Sequence, residues 1–152
     1  MKLQKKLYSF LTVFFTLFLT IGWASNPITW SVKSNHLGNQ EYEVSITANL
    51  ESGWHLYSQF LESDEGPLST YITYNLNGVF ETIGPTKEVN IENKYDPVWD
   101  MEISFFSHIA VFKQKIKSLN PDSLVFTGNV NYMICDETQC LPPDDYSFTV
   151  DL

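Results

Sequence analysis

"EYEVSITANL", residues Glu41 to Leu50, alternates along its whole length. Tyr42, Val44, Ile46, Ala48 and Leu50 are apolar, and Glu41, Glu43, Ser45, Thr47 and Asn49 are polar. Successive side chains of a strand point to opposite faces, so this pattern describes a half-buried antiparallel strand. The same reading extends outward. "ITWSVKS" (Ile28 to Ser34) and "TYITYNL" (Thr70 to Leu76) are rich in β-branched and aromatic residues and read as strands. Met101 to Ile116 reads as strand with a break near Ser107-His108, and Ser123 to Cys135 and Tyr146 to Leu152 follow the same rule. Turn signals separate them: "HLGNQ", "LNG", "IGPTK", "KYDP" and "LNPDS". The polar Ser58 to Thr70 segment, with its glycine and proline, reads as a long surface loop. No stretch of about a dozen residues carries helical periodicity with caps. Roughly six to nine short strands at about ten-residue spacing predict an all-β protein, an immunoglobulin-like antiparallel β-sandwich.

The amino terminus reads differently. Lys2, Lys5 and Lys6 precede an uncharged apolar run of 17 residues, Leu7 to Trp23, which ends in the small-x-small pattern Gly22-Trp23-Ala24. A basic start, an apolar centre and a small-residue site describe a secretory signal peptide over residues 1–24, cleaved near Ala24. The run is at the low edge of what spans a bilayer. Ser25 then begins a mature domain, residues 25–152, which is one domain by size and large enough for its own core. With no second apolar span, no stable membrane insertion is expected after cleavage.

Three of the nine basic residues lie in the signal and all 18 acids beyond it, so cleavage takes the net charge from −9 to −12. There is no arginine. Arginine is the preferred residue for phosphate and bidentate contacts, so nucleic acid and anionic membrane surfaces are poor partner candidates. Solubility is the plain reading of the acidity.

Both cysteines fall in "NYMICDETQCLPP", Asn131 to Pro143, with four residues between them. Four residues is a common hairpin loop length, so Cys135 and Cys140 are expected to face each other across the hairpin mouth. Opposed Cα atoms there are about 4.5–5.5 Å apart, and a disulfide wants about 4.4–6.8 Å. An exported protein meets an oxidising compartment, where such a bond persists. The loop it closes is short, so cross-linking removes little entropy from the unfolded chain. Redox use and structural stapling remain the two readings, and the short loop favours the first. Asp136 and Glu137 lie between the sulfurs with no lysine nearby in sequence; negative charge disfavours a thiolate. As a dithiol the pair is therefore expected to react slowly until a docked partner brings sulfurs together. Pro142-Pro143 removes two backbone donors and predicts an edge or rigid exit that leaves the hairpin mouth open.

"YMICDETQCLPP" resembles the cysteine segment of the amino-terminal periplasmic domain of the thiol:disulfide interchange protein DsbD, the disulfide bond corrector domain family. The shared features are the Tyr-x-x-Cys lead, the acidic spacer, the second cysteine and the Leu-Pro-Pro exit. "GWHLYSQ" (Gly53 to Gln59), "GPLST" and "KYDPVWDMEISFF" also resemble that family. The resemblance implies an immunoglobulin-like sandwich with a redox-active pair and no cofactor. It implies that Cys140 forms the mixed disulfide with a partner and Cys135 resolves it. A family cap loop shields the pair; "YDPVW" (Tyr95 to Trp99) is the candidate here, with Asp96 as its acid and Val98 or Trp99 as its shield. The implied role is a periplasmic electron relay from a membrane-linked thioredoxin-like donor to disulfide isomerase or cytochrome c maturation partners. The family's membrane and thioredoxin-like domains are not in this sequence, so the expected donor is a separate protein. The alternative from another class is a secreted binding or adhesion module with a purely structural hairpin disulfide.

His36, His55 and His108 are scattered, with none at metal-ligand spacing to another or to a cysteine. No metal is expected. Trp30, Trp54 and Trp99 read as sandwich core more readily than as a sugar-binding platform.

Overall fold

A computed structural model describes residues 26–61, 66–96, 100–122 and 124–152. The signal segment 1–24 and Ser25 lie outside the described residues. Among the described residues eleven strands, all paired antiparallel, follow in chain order: β1 (Ile28–Gly38), β2 (Glu41–Leu50), β3 (His55–Tyr57), β4 (Tyr71–Tyr74), β5 (Phe80–Val89), β6 (Glu92–Asp96), β7 (Met101–Phe106), β8 (Ile109–Ser118), β9 (Val125–Tyr132), β10 (Ile134–Cys135) and β11 (Asp144–Asp151). They form three sheets, ordered β1-β2-β8-β5, β10-β3-β7-β6 and β11-β9-β4. The fold is the all-β, immunoglobulin-like sandwich that the alternation predicts.

The core lies between the first sheet and the other two. Val44, Ile46 and Ala48 of β2 are fully buried, as the alternation of Glu41–Leu50 requires, and Phe112 and Ile116 of β8 lie beside them. Leu56, Phe106 and Ile134 of the second sheet and Phe126, Val130 and Phe148 of the third close the core from the other side. Aromatic rings join the layers. Phe106 meets Phe112 edge-on at 5.5 Å, Phe80 meets Phe126 edge-on at 5.1 Å, and Trp30 stacks on Tyr146 at 5.3 Å. Trp30 also lies 5.1 Å from Tyr132, and Trp54 packs against the core, so neither tryptophan is a free platform.

Two long strand pairs bend from one sheet into another. β5 pairs with β8 in the first sheet, and β6 pairs with β7 in the second. The corner falls at Asn90, with φ of 70°, and at Ser107-His108, where the break in the long apolar segment was expected. Ser107 Oγ donates to Glu92 Oε1 at 2.6 Å across that corner. β9 passes into β10 in the same way, at Met133. These bends place the cysteine strand beside β3, β7 and β6.

Two expected turns are strand instead. "IGPTK" lies inside β5, where the register jumps between Ile83 and Lys87 opposite a single β8 residue, Gln114. Gly84, at φ +71°, makes the bulge, and Pro85 sits where no ladder donor is needed. Gln114 is buried and fills the gap. Its Nε2 donates to Gly84 O at 3.1 Å, and its Oε1 accepts from Thr86 Oγ1 at 2.8 Å. "KYDP" likewise starts in β6, because Lys94, Tyr95 and Asp96 pair with Ile103, Glu102 and Met101.

The segment after β3 is anchored at both ends. Ser58 and Thr70 are buried, Thr70 N donates to Ser58 O, and Glu88 accepts from Ser58 Oγ at 2.7 Å and from Gln59 N at 2.8 Å.

Candidate functional site

Cys135 and Cys140 are joined, with S–S 2.02 Å and Cα–Cα 3.9 Å. That Cα separation is closer than the roughly 4.5–5.5 Å expected of opposed Cα atoms, and the flanking hydrogen bonds favour the narrow end of that range. Asp136 N donates to Gln139 O at 2.8 Å, and Leu141 N donates to Ile134 O at 2.9 Å. They bracket the cysteines as a non-hydrogen-bonded pair, the narrower of the two antiparallel positions. The pair therefore sits at the hairpin mouth, as the spacing predicts, at the tight position rather than the wide one.

The loop tip is built by one carboxylate. Asp136 Oδ1 accepts from Thr138 N at 2.7 Å, Thr138 Oγ1 at 2.7 Å and Gln139 N at 2.8 Å. The Thr138 and Gln139 donors hold the Asp136 carboxyl below its ordinary value near 3.8, so it is ionised at neutral pH. Glu137 is exposed at the same tip.

The two sulfurs stand in unlike surroundings. Cys135 is only 3% exposed, while Cys140 is exposed to solvent. The reason is the pleat. Ile134 points into the core, so Cys135 points to the opposite face of the second sheet. That face carries the outward residues of its neighbours. Cys135 pairs with His55 on β3, Tyr57 with Phe105 on β7, and Ile103 with Lys94 on β6. Together with the loop Asp136–Gln139 these residues enclose a hollow of about 460 Å³. Its floor is apolar: Ile103 is 3% exposed, and Phe105 meets the His55 ring edge-on at 5.1 Å. Its rim is charged, with Asp136 and Glu137 on one side and Lys94 on another.

The fold adds a positive charge that the neighbouring sequence does not contain. No lysine is near the cysteines along the chain, but β6 carries Lys94 to the same hollow. His55, Tyr57, Lys94, Ile103 and Phe105 were not singled out as site residues, although the segments that carry them, "GWHLYSQ" and "KYDPVWDMEISFF", were. Their period-two phase relative to Leu56 and Phe106 was the available signal.

The expected cap is reached only in part. Asp96 pairs through its backbone with Met101 at the end of β6; its side chain, Val98 and Trp99 lie outside the described residues. The neighbouring Tyr95 hydroxyl donates to Asp100 Oδ1. Of the other histidines, His36 lies against Tyr42 and His108 is exposed at the β7–β8 corner, both away from the hollow.

The family described as thiol:disulfide interchange protein DsbD, N-terminal, matches residues 29–152. The chain belongs to the DsbD amino-terminal domain family. That match includes β1 from Thr29 onward, strands β2 to β11 and both cysteines. Solved structures share the fold. The N-terminal periplasmic domain of ScsB from Proteus mirabilis aligns with a TM-score of 0.54 at 17% identity, over 82% of this chain and 45% of that one. The chain therefore spans less than half the length of that protein. The DsbD N-terminal domain of Neisseria meningitidis, in its complex with the PilB N-terminal domain, aligns with a TM-score of 0.52 at 13% identity, over 80% of each chain. No curated protein sequence matches. A DsbD-type domain with its cysteine pair joined has the groups that thiol–disulfide exchange requires. Among the described residues, no helix is long and apolar enough to cross a membrane.

Proposed function

We propose that this domain is an exported thiol–disulfide exchange module whose reacting pair is Cys135 and Cys140. The observation that carries this reading is the asymmetry of the two sulfurs: one exposed, one buried, at the lip of a hollow. Exchange proceeds by thiolate attack on one sulfur, with the other as leaving group. Cys140 is the sulfur a visiting protein reaches. Cys135, sheltered by β3 and the loop tip, leaves or re-forms the bond. A donor thiolate attacks Cys140 and releases Cys135, and a second donor thiol completes reduction. In the other direction Cys140 attacks a client disulfide and Cys135 displaces the reduced client. Two electrons pass in each cycle.

The partners in this reading are thioredoxin-like and disulfide isomerase proteins, including those of cytochrome c maturation, fed by a separate membrane-linked donor. The complex of the Neisseria DsbD domain with a PilB domain supports a protein partner for this fold. The setting is the periplasm, entered with residues 1–24 as a cleaved signal. The β6–β7 connection, with Asp96, Val98 and Trp99, is assigned as the shield over the pair. Trp99→Ala is then expected to speed alkylation of reduced Cys140 by a small reagent, and an unchanged rate refutes the shield.

The decisive experiment has two arms. Equilibration with glutathione buffers should give a reduction potential above about −300 mV, the range of exchangeable bonds. Cys135→Ser, loaded with an oxidised thioredoxin-fold protein, should hold it as a mixed disulfide through Cys140, while Cys140→Ser should not. A potential below that limit together with no mixed disulfide would return the bond to the structural reading.

A further inference from the structure

We propose that His55 is the proton acceptor and donor for Cys135 during exchange. This rests on the exchange reading above and assigns a role to a residue that reading does not use. The argument begins with the register. Cys135 is paired on one side with Cys140 and on the other with His55. Directly opposed residues in antiparallel strands share a face, with Cβ atoms about 4.5–5.5 Å apart. The three side chains therefore form a row across the sheet: exposed Cys140, buried Cys135 and half-buried His55. All three line the same hollow, and the edge of Phe105 holds the imidazole ring in place.

The chemistry needs such a group. Cys135 is the sulfur that must lose a proton before it attacks Cys140 and gain one after it leaves. Burial and the tip carboxylates Asp136 and Glu137 both oppose a free thiolate there. Water has little access to a sulfur that is 3% exposed. Imidazole is the side chain that exchanges a proton near neutral pH, and here it is the cross-strand neighbour. The other charged or titratable groups facing this row are Tyr57 on β3, Glu92 and Lys94 on β6, and the two tip acids. Glu92 is already engaged by Ser107 Oγ, and Asp136 by the loop amides, so neither is placed as the base.

The step balances as follows. Cys140 thiolate attacks a disulfide R–S–S–R, forming Cys140–S–S–R and releasing one RS⁻. The Cys135 thiol gives its proton to the His55 ring nitrogen, and its sulfur attacks Cys140 Sγ. The bond from Cys140 Sγ to the sulfur of the RS group breaks, the Cys135–Cys140 bond forms, and a second RS⁻ leaves. The dithiol loses two electrons, R–S–S–R gains them, and the imidazolium passes its proton to solvent.

A chromogenic aromatic disulfide reads both steps on the reduced, full domain. The first release reports Cys140 and the second reports Cys135. In the native protein the second release should depend on the imidazole of His55. In His55→Phe, which keeps the ring packing on Phe105, it should slow by about tenfold or more at pH 7 and keep rising steeply through pH 8. The first release should be unchanged. His55→Gln, polar but without a titrating ring, should behave like His55→Phe, and it carries the test if the phenylalanine variant does not fold. A second release with the native pH profile in a folded variant overturns the assignment of His55. Absence of any second release from the native protein overturns the exchange reading itself, so the two failures are distinguishable.

Discussion

Reducing the Cys135–Cys140 bond should cost the domain little stability, and the loop length says how little. The bond spans a sequence separation of 5. The chain-entropy relation gives such a loop about 2 kcal/mol at 25 °C, against about 3 for a loop of fifteen residues and about 4.7 for a hundred. The native hairpin does not depend on the sulfurs for its shape. Asp136 N to Gln139 O, Leu141 N to Ile134 O and the three donors on the Asp136 carboxylate involve no sulfur atom, so opening the bond removes none of their partners. The core is likewise independent of it, since Ile134 rather than Cys135 faces inward. Urea unfolding with and without a strong reductant should thus show a loss of about 2 kcal/mol at constant slope, or roughly 5–10 °C in Tm. Linkage turns the same number into a potential. If the disulfide stabilises the fold by about 2 kcal/mol, the folded pair lies only about 40 mV below the unfolded pair. A partner can cross that gap in either direction. A loss near or above 4 kcal/mol, or loss of cooperative unfolding on reduction, would refute this reasoning and identify the bond as a staple.

Two further outcomes test the frame around the site. Gly128 of β9 lies between Tyr74 of β4 and Phe148 of β11, and a Cβ there would meet Phe148 Cζ at 2.4 Å and Thr73 O at 2.5 Å. A backbone oxygen cannot swing aside, so Gly128→Ala should destabilise by about 3 kcal/mol in chemical denaturation; a loss under about 1 kcal/mol would show the third sheet to be looser than described. Asp136 concerns pH. Its folded carboxyl titrates below the ordinary value near 3.8, so the ordering it gives the loop is present above that value and lost as pH falls through the depressed one. The amide resonances of Thr138 and Gln139 should hold steady from about pH 7 to 5 and move together only at strongly acidic pH, and Asp136→Ala should abolish that step. Movement already at pH 5 would contradict the bonding of the tip.

What the sequence discloses and what it conceals follow from the range of the interactions involved. Glu41–Leu50 is legible because β2 is an inner strand buried on one face, and each residue's fate depends on its own parity. The cysteine hairpin is legible because all its determinants, the spacing, the tip acids and Pro142-Pro143, lie within about a dozen residues. β5 is concealed because it is an edge strand, exposed along most of its length, and its glycine and proline report a bulge whose partner is Gln114 on another strand. Tyr95 and Asp96 likewise read as turn because β6 is a short exposed edge that becomes strand only by pairing with β7. The hollow is the least legible feature. Its walls come from β3, β6, β7 and the hairpin, and only the corners at Asn90, Ser107-His108 and Met133 bring them together. His55 shows the consequence. Asked whether it could hold a metal with its sequence neighbours, it has nothing to say. Placed by register beside Cys135, it becomes the one imidazole next to a buried sulfur, and its meaning depends on strand pairing rather than on spacing. Lys94 is concealed for the same reason: no lysine is near the cysteines along the chain, and the sheet order β10-β3-β7-β6 brings one to the wall of the same hollow. For a site of this kind, parity within each strand and register between strands carry the chemistry, and the motif marks only where it happens.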